Sequence, residues 1–388
     1  MLDDVRIKGF RSVKELQLPL RRLTVLTGAN GVGKTNIYRA LQLLHCAANG
    51  TLAGEIAREG GLASVFWAGG ANLTPDAHFD PRYRTDGYRK GEKRRIELGA
   101  TLDLDGLGAR YAIELGFPTS TDAAFSGESQ VKHESLSYLV DGRTARVLDR
   151  DGAAAWVRGD RGVRQEIAER LLASETALST IRTSPEVSAV RENLANWRFF
   201  HGFRTDRDSP LRRPAQALTS PLLASDGENL AAVFATLRHI RGETNDLDEI
   251  VELAFPGSQL VVPTPGDYAS FGMVFPETPK RTFWAHELSD GTLQLLALLG
   301  ALLSYRLPPF IALNEPETSL HPSLLPALAR TIVKAAAHAQ LWVVTHSETL
   351  AESIAEQSGA APREVIRTEN GTAIRGLNRL GVFDEPSP

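Results

Sequence analysis

One stretch near the N-terminus decides the fold: Leu23-Thr-Val-Leu-Thr27 runs directly into Gly28-Ala-Asn-Gly-Val-Gly-Lys-Thr35. The first five residues are typical of a buried strand, and Asn36–Cys46 repeats its apolar residues with helical spacing. The glycines followed by Lys34 and Thr35 match a phosphate-binding loop in its strand–loop–helix setting. Such a loop turns backbone N–H groups around phosphate oxygens, with Lys34 reaching the β- and γ-phosphates and the Thr35 hydroxyl ligating Mg²⁺. The sequence therefore predicts a nucleotide phosphate site here.

Composition indicates an ordinary globular chain. It has 388 residues, 42% hydrophobic and 23% charged, enough for about two or three compact units. The single cysteine, Cys46, excludes a disulfide scaffold and favours a reducing compartment. The longest apolar run, Leu293–Leu303, is shorter than the roughly 20 residues that span a bilayer, and Met1–Arg6 has no signal character. We interpret the protein as cytoplasmic, with no membrane partner.

The middle of the chain is less strongly patterned. Turn signals such as Asp105-Gly106 and Asp151-Gly152 separate alternating stretches, which predicts antiparallel hairpins over Arg95–Phe117 and Glu134–Val157. The periodicity then predicts helices over Arg164–Ala177, Glu186–Trp197, Asn229–Arg241 and Leu247–Ala254.

Toward the C-terminus, apolar strands again end in polar residues. Phe310–Leu313 leads into Asn314 and Glu315, and Leu341–Thr345 leads into His346. A carboxylate at such a strand end can orient or deprotonate an attacking water, and a histidine can hydrogen-bond a terminal phosphate. The alternatives are an acidic turn before a proline for Glu315 and a loop-capping role for His346.

Leu288-Ser-Asp-Gly-Thr292 opens a further helix. Ser289 and the backbone of Gly291 would place hydroxyl and N–H donors at the helix N-terminus, which predicts a second anion site. The alternative is a simple N-cap by Ser289 or Asp290.

The order of these motifs resembles the ABC-type ATPase heads of the RecF, SMC and OLD group, often described as predicted AAA-family ATPases. A looser match in the middle is Asp226–Ala231. The motifs that carry the resemblance are Lys8-Gly-Phe-Arg-Ser12, Gly28–Asn36, Leu288–Thr292, Asn314-Glu-Pro-Glu-Thr-Ser-Leu-His-Pro322 and Thr345-His346-Ser347.

The resemblance implies an α/β P-loop NTPase of ABC-ATPase-head type, with a mixed sheet, an antiparallel β-lobe and an inserted helical lid. We expect the N-terminal part of the head at 1–157, the lid at 158–258 and the C-terminal part at 259–388. The resemblance also implies ATP and Mg²⁺ as cofactors, and a homodimer that forms on ATP binding and separates after hydrolysis. We expect no Toprim nuclease domain in this chain.

The resemblance also assigns roles to particular residues. Glu315 would be the catalytic carboxylate and His346 the switch histidine, while Thr35 and Asn314 would serve the metal. Ser289, Asp290 and Gly291 would reach the γ-phosphate bound by the opposite subunit, and Ser319–Pro322 would be the subunit-communicating loop. The nucleotide-binding residues would be Arg11, Ser12, Gly28, Ala29, Asn30, Gly31, Val32, Gly33, Lys34, Thr35 and Asn36.

Two departures from the group bear on the metal. Asn314 stands where an aspartate is usual, and an amide can accept a hydrogen bond from a metal-bound water but lacks the charge. This predicts weaker Mg²⁺ binding and slow hydrolysis. No convincing glutamine is found for the loop that usually touches Mg²⁺, since Gln42 lies inside the first helix.

A net charge of −4 gives no overall attraction to nucleic acid, so any DNA contact needs a local patch. A basic segment with Tyr83 and Tyr88 is suited to phosphate contacts and stacking on duplex DNA; the alternative is a solvated loop. Arg204, Arg207, Arg212 and Arg213 could contact DNA, pair with acids or face a nucleotide across a dimer. The candidate DNA contacts of the segment are Arg89, Lys90, Lys93, Arg94 and Arg95.

Two functions remain open. The first is an ATP-switched dimer in DNA maintenance or repair, as in RecF and SMC heads. The alternative is a regulatory ATPase of a phage-defence system that controls a separate effector protein such as a nuclease or toxin. A transporter subunit fits less well because a clear glutamine loop is absent, and a metabolic P-loop kinase explains neither Leu288–Thr292 nor His346.

Overall fold

The computed structural model describes residues 1–67, 94–118, 125, 127–140, 142–159, 162–167, 171–241, 245–264 and 266–383. The chain forms two compact units. The first comprises 1–21, 28–197 and 363–388, and the second comprises 22–27 and 198–362.

The first unit is built on an antiparallel sheet. Its strands follow the order β18-β19-β2-β1-β4-β5-β6-β7-β8-β9, with every neighbouring pair antiparallel. These strands are β1 (Leu2–Phe10), β2 (Val13–Pro19), β4 (Ile96–Leu104), β5 (Leu107–Gly116), β6 (Gln130–Val140), β7 (Arg143–Asp151), β8 (Ala154–Arg158), β9 (Arg164–Glu166), β18 (Arg363–Thr368) and β19 (Gly371–Ile374).

The helices of the first unit begin and end at recognisable signals. The longest ends at Gly50, whose left-handed backbone (φ 72°) suits the C-cap position. Ser184 caps another through a hydrogen bond from the Val187 N–H, with Pro185 in the first turn. The helices are α1 (Lys34–Asn49), α2 (Leu52–Arg58), α3 (Leu62–Val65), α4 (Ala177–Thr180) and α5 (Pro185–Ala195).

The second unit contains a parallel sheet in the order β10-β16-β17-β3, formed by β3 (Leu23–Thr27), β10 (Arg198–Phe200), β16 (Phe310–Asn314) and β17 (Gln340–Val344). Every residue of β16 and β17 is buried, as expected of parallel strands covered on both faces. Because the strands are parallel, their carboxyl ends meet at one edge of the sheet.

Helices and short antiparallel pairs complete the second unit. The helices are α6 (Leu230–Arg241), α7 (Asn245–Ala254), α8 (Asp290–Leu303), α9 (Leu325–Ala336) and α10 (Glu348–Ser358). The pairs are formed by β11 (Ala215–Gln216) with β13 (Tyr268–Ala269), and by β14 (Gly272–Val274) with β12 (Gln259–Val261) and β15 (Phe283–Trp284). No helix in the described part of the chain has the length and apolar character needed to cross a membrane.

The predicted hairpins are confirmed as β4–β5 and β6–β7–β8, and three predicted helices are confirmed as α5, α6 and α7. The helix predicted over Arg164–Ala177 is wrong. Arg164–Glu166 is the strand β9, which pairs with β8, and the Gly159 N–H donates to the Val163 carbonyl. Here strand pairing overrides the local helical pattern. The boundaries at 157 and 258 stay a prediction; the two compact units divide the chain elsewhere.

A buried charged cluster stabilises the first unit. The Glu134 side chain is fully buried, and its carboxylate accepts hydrogen bonds from Tyr111 Oη (2.9 Å) and from the N–H groups of Ala177 (2.6 Å) and Leu178 (2.8 Å). The Arg150 guanidinium lies 3.9 Å from it. Burial raises the pKa of the Glu134 carboxyl, and these neighbours oppose the rise.

Replacing Glu134 by leucine is expected to destabilise the first unit by about 3–5 kcal/mol, because Arg150 keeps a buried charge and two N–H donors lose their acceptor. The measurement is urea unfolding followed by circular dichroism. Glu15→Gln is the control, since its exposed pair with Arg6 (3.5 Å) contributes at most about 1 kcal/mol. Equal effects of the two substitutions would contradict this role of Glu134.

Candidate functional site

The phosphate loop lies in the first unit and leads into α1. Gly28, Gly31 and Gly33 all have positive φ (138°, 78° and 107°). No side chain caps the N-terminus of α1. Its first turn therefore offers N–H donors and the positive end of the helix dipole, and phosphate binding at this position stays a prediction.

The predicted phosphate-binding lysine is held within its own loop. Lys34 is 3% exposed, and its Nζ donates to the carbonyls of Gly28 (2.5 Å) and Ala29 (2.9 Å). These carbonyls compensate the buried ammonium. Phosphate oxygens offer the same acceptors with a full negative charge, so a bound phosphate can replace them.

A relay of hydrogen bonds supports the loop from behind. Asn36 Nδ2 donates to Ser12 Oγ (2.6 Å), Ser12 Oγ lies 2.6 Å from Thr372 Oγ1, and Thr372 Oγ1 donates to the Val32 carbonyl (2.7 Å). Each hydroxyl has one proton, so the Ser12 hydroxyl donates to Thr372. Ser12 thus contacts the loop-supporting residues, and its contact with nucleotide stays a prediction. Thr372 was missed because it lies on a distant hairpin without a motif of its own.

Arg11 takes part in an ion pair. It has a positive φ of 48°, its Nη2 donates to Glu59 Oε2 (2.6 Å) and its Nη1 lies 3.5 Å from Asn36 Oδ1. The guanidinium charge is thus compensated by a carboxylate on the residue that ends α2. A contact with nucleotide stays a prediction for Arg11 as well.

The predicted catalytic residues lie in the second unit, and the structure brings them together. The His346 Nε2–H donates to Glu315 Oε1 at 2.8 Å, with side-chain exposures of 32% and 31%. The Glu315 N–H donates to the Val344 carbonyl (2.7 Å), and its φ is 52°. A non-glycine residue in this backbone region is strained, and such strain concentrates at functional sites. The geometry leaves both side chains accessible at the carboxyl edge of the parallel sheet.

Glu317 holds the histidine loop in place. Its Oε1 accepts hydrogen bonds from Thr345 Oγ1 (2.6 Å), the His346 N–H (2.8 Å) and the Ser347 N–H (3.2 Å). No role was predicted for Glu317, although it lies within the motif Asn314–Pro322. The second acidic residue of Asn314-Glu-Pro-Glu317 was the sequence signal that could have pointed to it.

Asn314 ends β16 and is fully buried. Its Nδ2 donates to His201 Nδ1 at 2.6 Å, and its Oδ1 is buried with no hydrogen-bond partner among the described residues. An unpartnered buried oxygen is an acceptor suited to a metal-bound water, so Asn314 fits the Mg²⁺ role that the resemblance implies. His201 was not singled out from the sequence.

At the start of α8, Ser289 is the N-cap residue, as in the alternative given for this motif. Ser289 Oγ accepts a hydrogen bond from the Thr292 N–H (3.2 Å), and Asp290 pairs with Arg212 Nη2 (2.7 Å). Arg212 also donates to the carbonyls of His286 (3.1 Å) and Leu288 (2.9 Å). Of the three alternatives for Arg212, pairing with an acid is the one observed. The role of Ser289, Asp290 and Gly291 toward an opposite subunit stays a prediction.

Most of the predicted DNA segment, including Arg89, Lys90 and Lys93, lies outside the described residues. Arg95 Nε donates to Glu114 Oε1 at 2.6 Å, so its charge is compensated. Arg204 pairs similarly with Asp206 (2.9 Å). DNA contact by Arg94 or Arg95 stays a prediction.

The fold is an α/β P-loop NTPase fold of ABC-ATPase-head type, which confirms the predicted fold class. Residues 23–352 match the family model described as "AAA domain, putative AbiEii toxin, Type IV TA system", and the chain belongs to this family.

The chain is also similar to part of one relative and to solved structures. An OLD nuclease of Thermus scotoductus is 46% identical over 44 residues; the match covers 11% of this chain and only 8% of that nuclease. An SMC head bound to the C-winged helix domain of ScpA superposes with a TM-score of 0.51 at 16% identity, covering 96% of each chain. The SMC head domain of Thermotoga maritima gives 0.48 at 15% identity, covering 97% of this chain and 99% of that one.

Gly33→Ala is expected to weaken ATP binding more than about tenfold. The new Cβ would lie 2.0 Å from Thr372 Oγ1 and 2.5 Å from Ser12 Oγ, at a φ that strains any L-residue. The measurement is titration with a fluorescent ATP analogue.

The matched control is Gly106→Ala. It has a similar φ of 87° but no atom within 4 Å of the added Cβ. Wild-type affinity in Gly33→Ala, or an equal loss in both variants, would contradict a tightly supported phosphate loop.

Proposed function

We propose that this protein binds ATP with Mg²⁺ on the Gly28–Thr35 loop and hydrolyses it, and that the bound nucleotide switches a homodimer. The observation that carries this proposal is the hydrogen bond between His346 and Glu315 at the ends of adjacent parallel strands. In this proposal the loop binds the phosphates, and the Glu315 carboxylate acts on the attacking water.

In this proposal Glu315 orients and deprotonates the water that attacks the γ-phosphate. His346 fixes one carboxylate oxygen by donating to it, and Glu317 fixes the backbone of His346 in turn. When bound, Mg²⁺ offsets the charge of the phosphate oxygens. Lys34, the Thr35 hydroxyl and the Asn314 oxygen are the residues of this chain that would serve phosphate and metal.

Dimerisation is supported by the accessible start of α8. Ser289 and Asp290 are both exposed, so another copy can approach this helix N-terminus. Arg212 neutralises the Asp290 carboxylate, which would otherwise repel an incoming phosphate. We propose that Ser289 and the Gly291 N–H contact the γ-phosphate held by a second copy.

Glu315→Gln is expected to lower ATP turnover at least about a hundredfold, because an amide cannot accept the proton of the attacking water. ATP binding should persist, since the variant leaves the phosphate loop intact. The measurements are steady-state phosphate release and light scattering after gel filtration with ATP, which should show an accumulated dimer.

Glu348→Gln, an exposed acid in the first turn of α10, is the control and should behave as wild type. Wild-type turnover in Glu315→Gln would exclude Glu315 as the base. A variant that stays monomeric with ATP would contradict the dimer switch.

For the biological role, we propose DNA maintenance or repair, with duplex DNA as the ligand that the ATP cycle controls. The RecF- and SMC-like order of motifs and the basic segment around Arg89–Arg95 support this role. A specific observation favours a second candidate, a regulatory ATPase that controls a separate effector in phage defence. The family description names a toxin–antitoxin system, and the local relative is named a nuclease.

The two roles differ in their response to DNA. Under the DNA-maintenance role, linear duplex DNA raises ATP turnover. Replacing Arg89, Lys90 and Lys93 by alanine makes DNA binding less salt-dependent: the slope of log K against log salt concentration falls by about 0.9 per lost phosphate contact. Turnover and binding are measured from low to moderate salt, with Arg375→Ala as the control because that arginine pairs with Glu364 (2.6 Å). Turnover indifferent to DNA, with no DNA binding at low salt, would favour the effector-controlling role.

A further inference from the structure

Asn314 stands in an asymmetric environment. A side-chain amide has two donors on its nitrogen and two acceptor lone pairs on its oxygen, so its orientation decides what it offers on each side. Here the nitrogen donates to His201 Nδ1 at 2.6 Å and the buried oxygen has no partner among the described residues. The amide is held on one side and presents an acceptor on the other.

The sheet places His201 beside Asn314. In the parallel pair β10–β16, Phe199 is opposite Ala312 and Phe200 is opposite Leu313. The next residues along the two strands are His201 and Asn314. Backbone register therefore brings the imidazole to the amide.

Chemistry makes this contact selective. The amide N–H can donate to Nδ1 only when that nitrogen carries a lone pair, as in the tautomer protonated on Nε2. Turning the amide by half a revolution would set an oxygen lone pair against the Nδ1 lone pair. In this tautomer, His201 favours the orientation of Asn314 in which Nδ2 faces Nδ1.

We propose that His201 is a positioning residue: by accepting a hydrogen bond from Asn314 Nδ2, it leaves Asn314 Oδ1 as an acceptor for a water bound to Mg²⁺. This inference deepens the proposed function and rests on it. The imidazole–amide pair takes the place of the single aspartate usual in this group. It supplies an oriented acceptor without a negative charge.

The test compares two variants of His201. His201→Leu removes the acceptor, whereas His201→Asn keeps an oxygen near the position of Nδ1. We measure the affinity for a fluorescent ADP as a function of Mg²⁺ concentration. His201→Leu should raise the Mg²⁺ concentration that gives half of the affinity gain about three- to tenfold, the effect of one lost hydrogen bond. Affinity without Mg²⁺ should not change, and His201→Asn should restore most of the response.

A second readout does not involve the metal. In protein labelled with ¹⁵N-histidine, the His201 signals are those that disappear in His201→Asn. The Nδ1 resonance should lie in the range of an unprotonated, hydrogen-bonded nitrogen and should shift in Asn314→Ala. Thermal melting of each variant confirms that it is folded.

The outcomes separate the inference from the function beneath it. An unchanged Mg²⁺ response in folded His201→Leu, or a protonated Nδ1 in the wild type, overturns the role of His201 and leaves ATP binding intact. If the wild type and Lys34→Ala both fail to bind the fluorescent ADP, the proposed function and this inference both fail. Equal losses with and without Mg²⁺ would mean that His201 supports only the local structure.

Discussion

The parallel pairing of β10, β16, β17 and β3 is the constraint on which the chemistry of the second unit depends. The pairing of β16 with β17 sets Asn314 opposite Val344. Glu315 and His346 therefore lie just beyond the ends of two adjacent strands. The register of β10 with β16 likewise places His201 beside Asn314. A slip of β16 or β17 by one residue would move its side chains to the opposite face, and the full burial of these two strands makes such a slip costly. The relative positions of Glu315 and His346 therefore follow from the packing of this sheet.

In the first unit, the corresponding constraint fixes the conformation of the glycine-rich Gly28–Thr35 loop. Glycine supplies the positive φ values but no rigidity, since it has more backbone freedom than any other residue. Rigidity comes from the Asn36–Ser12–Thr372–Val32 relay, which joins residues 360 positions apart in sequence. In the second unit, Glu317 has the equivalent task of fixing a loop whose own backbone is not regular.

The sequence predicted what is local and could not predict what is distant. The phosphate loop is a contiguous pattern, and Glu315 and His346 follow strands whose apolar runs are easily recognised, so their positions could be predicted. His201 follows a strand of three residues, too short for periodicity to reveal. Thr372 is an ordinary hairpin residue whose importance lies in the partners it meets after folding. The wrong helix at Arg164 arose because pairing with β8 outweighs local spacing.

The position of Thr372 has a consequence for the order of events during translation. The Gly28–Thr35 loop is synthesised before the hydroxyl that supports it, which belongs to a hairpin more than three hundred residues later in the chain. Until that hairpin docks beside Val13, the glycines have no support behind them. The support of this loop is therefore completed only after the β18–β19 hairpin has been synthesised.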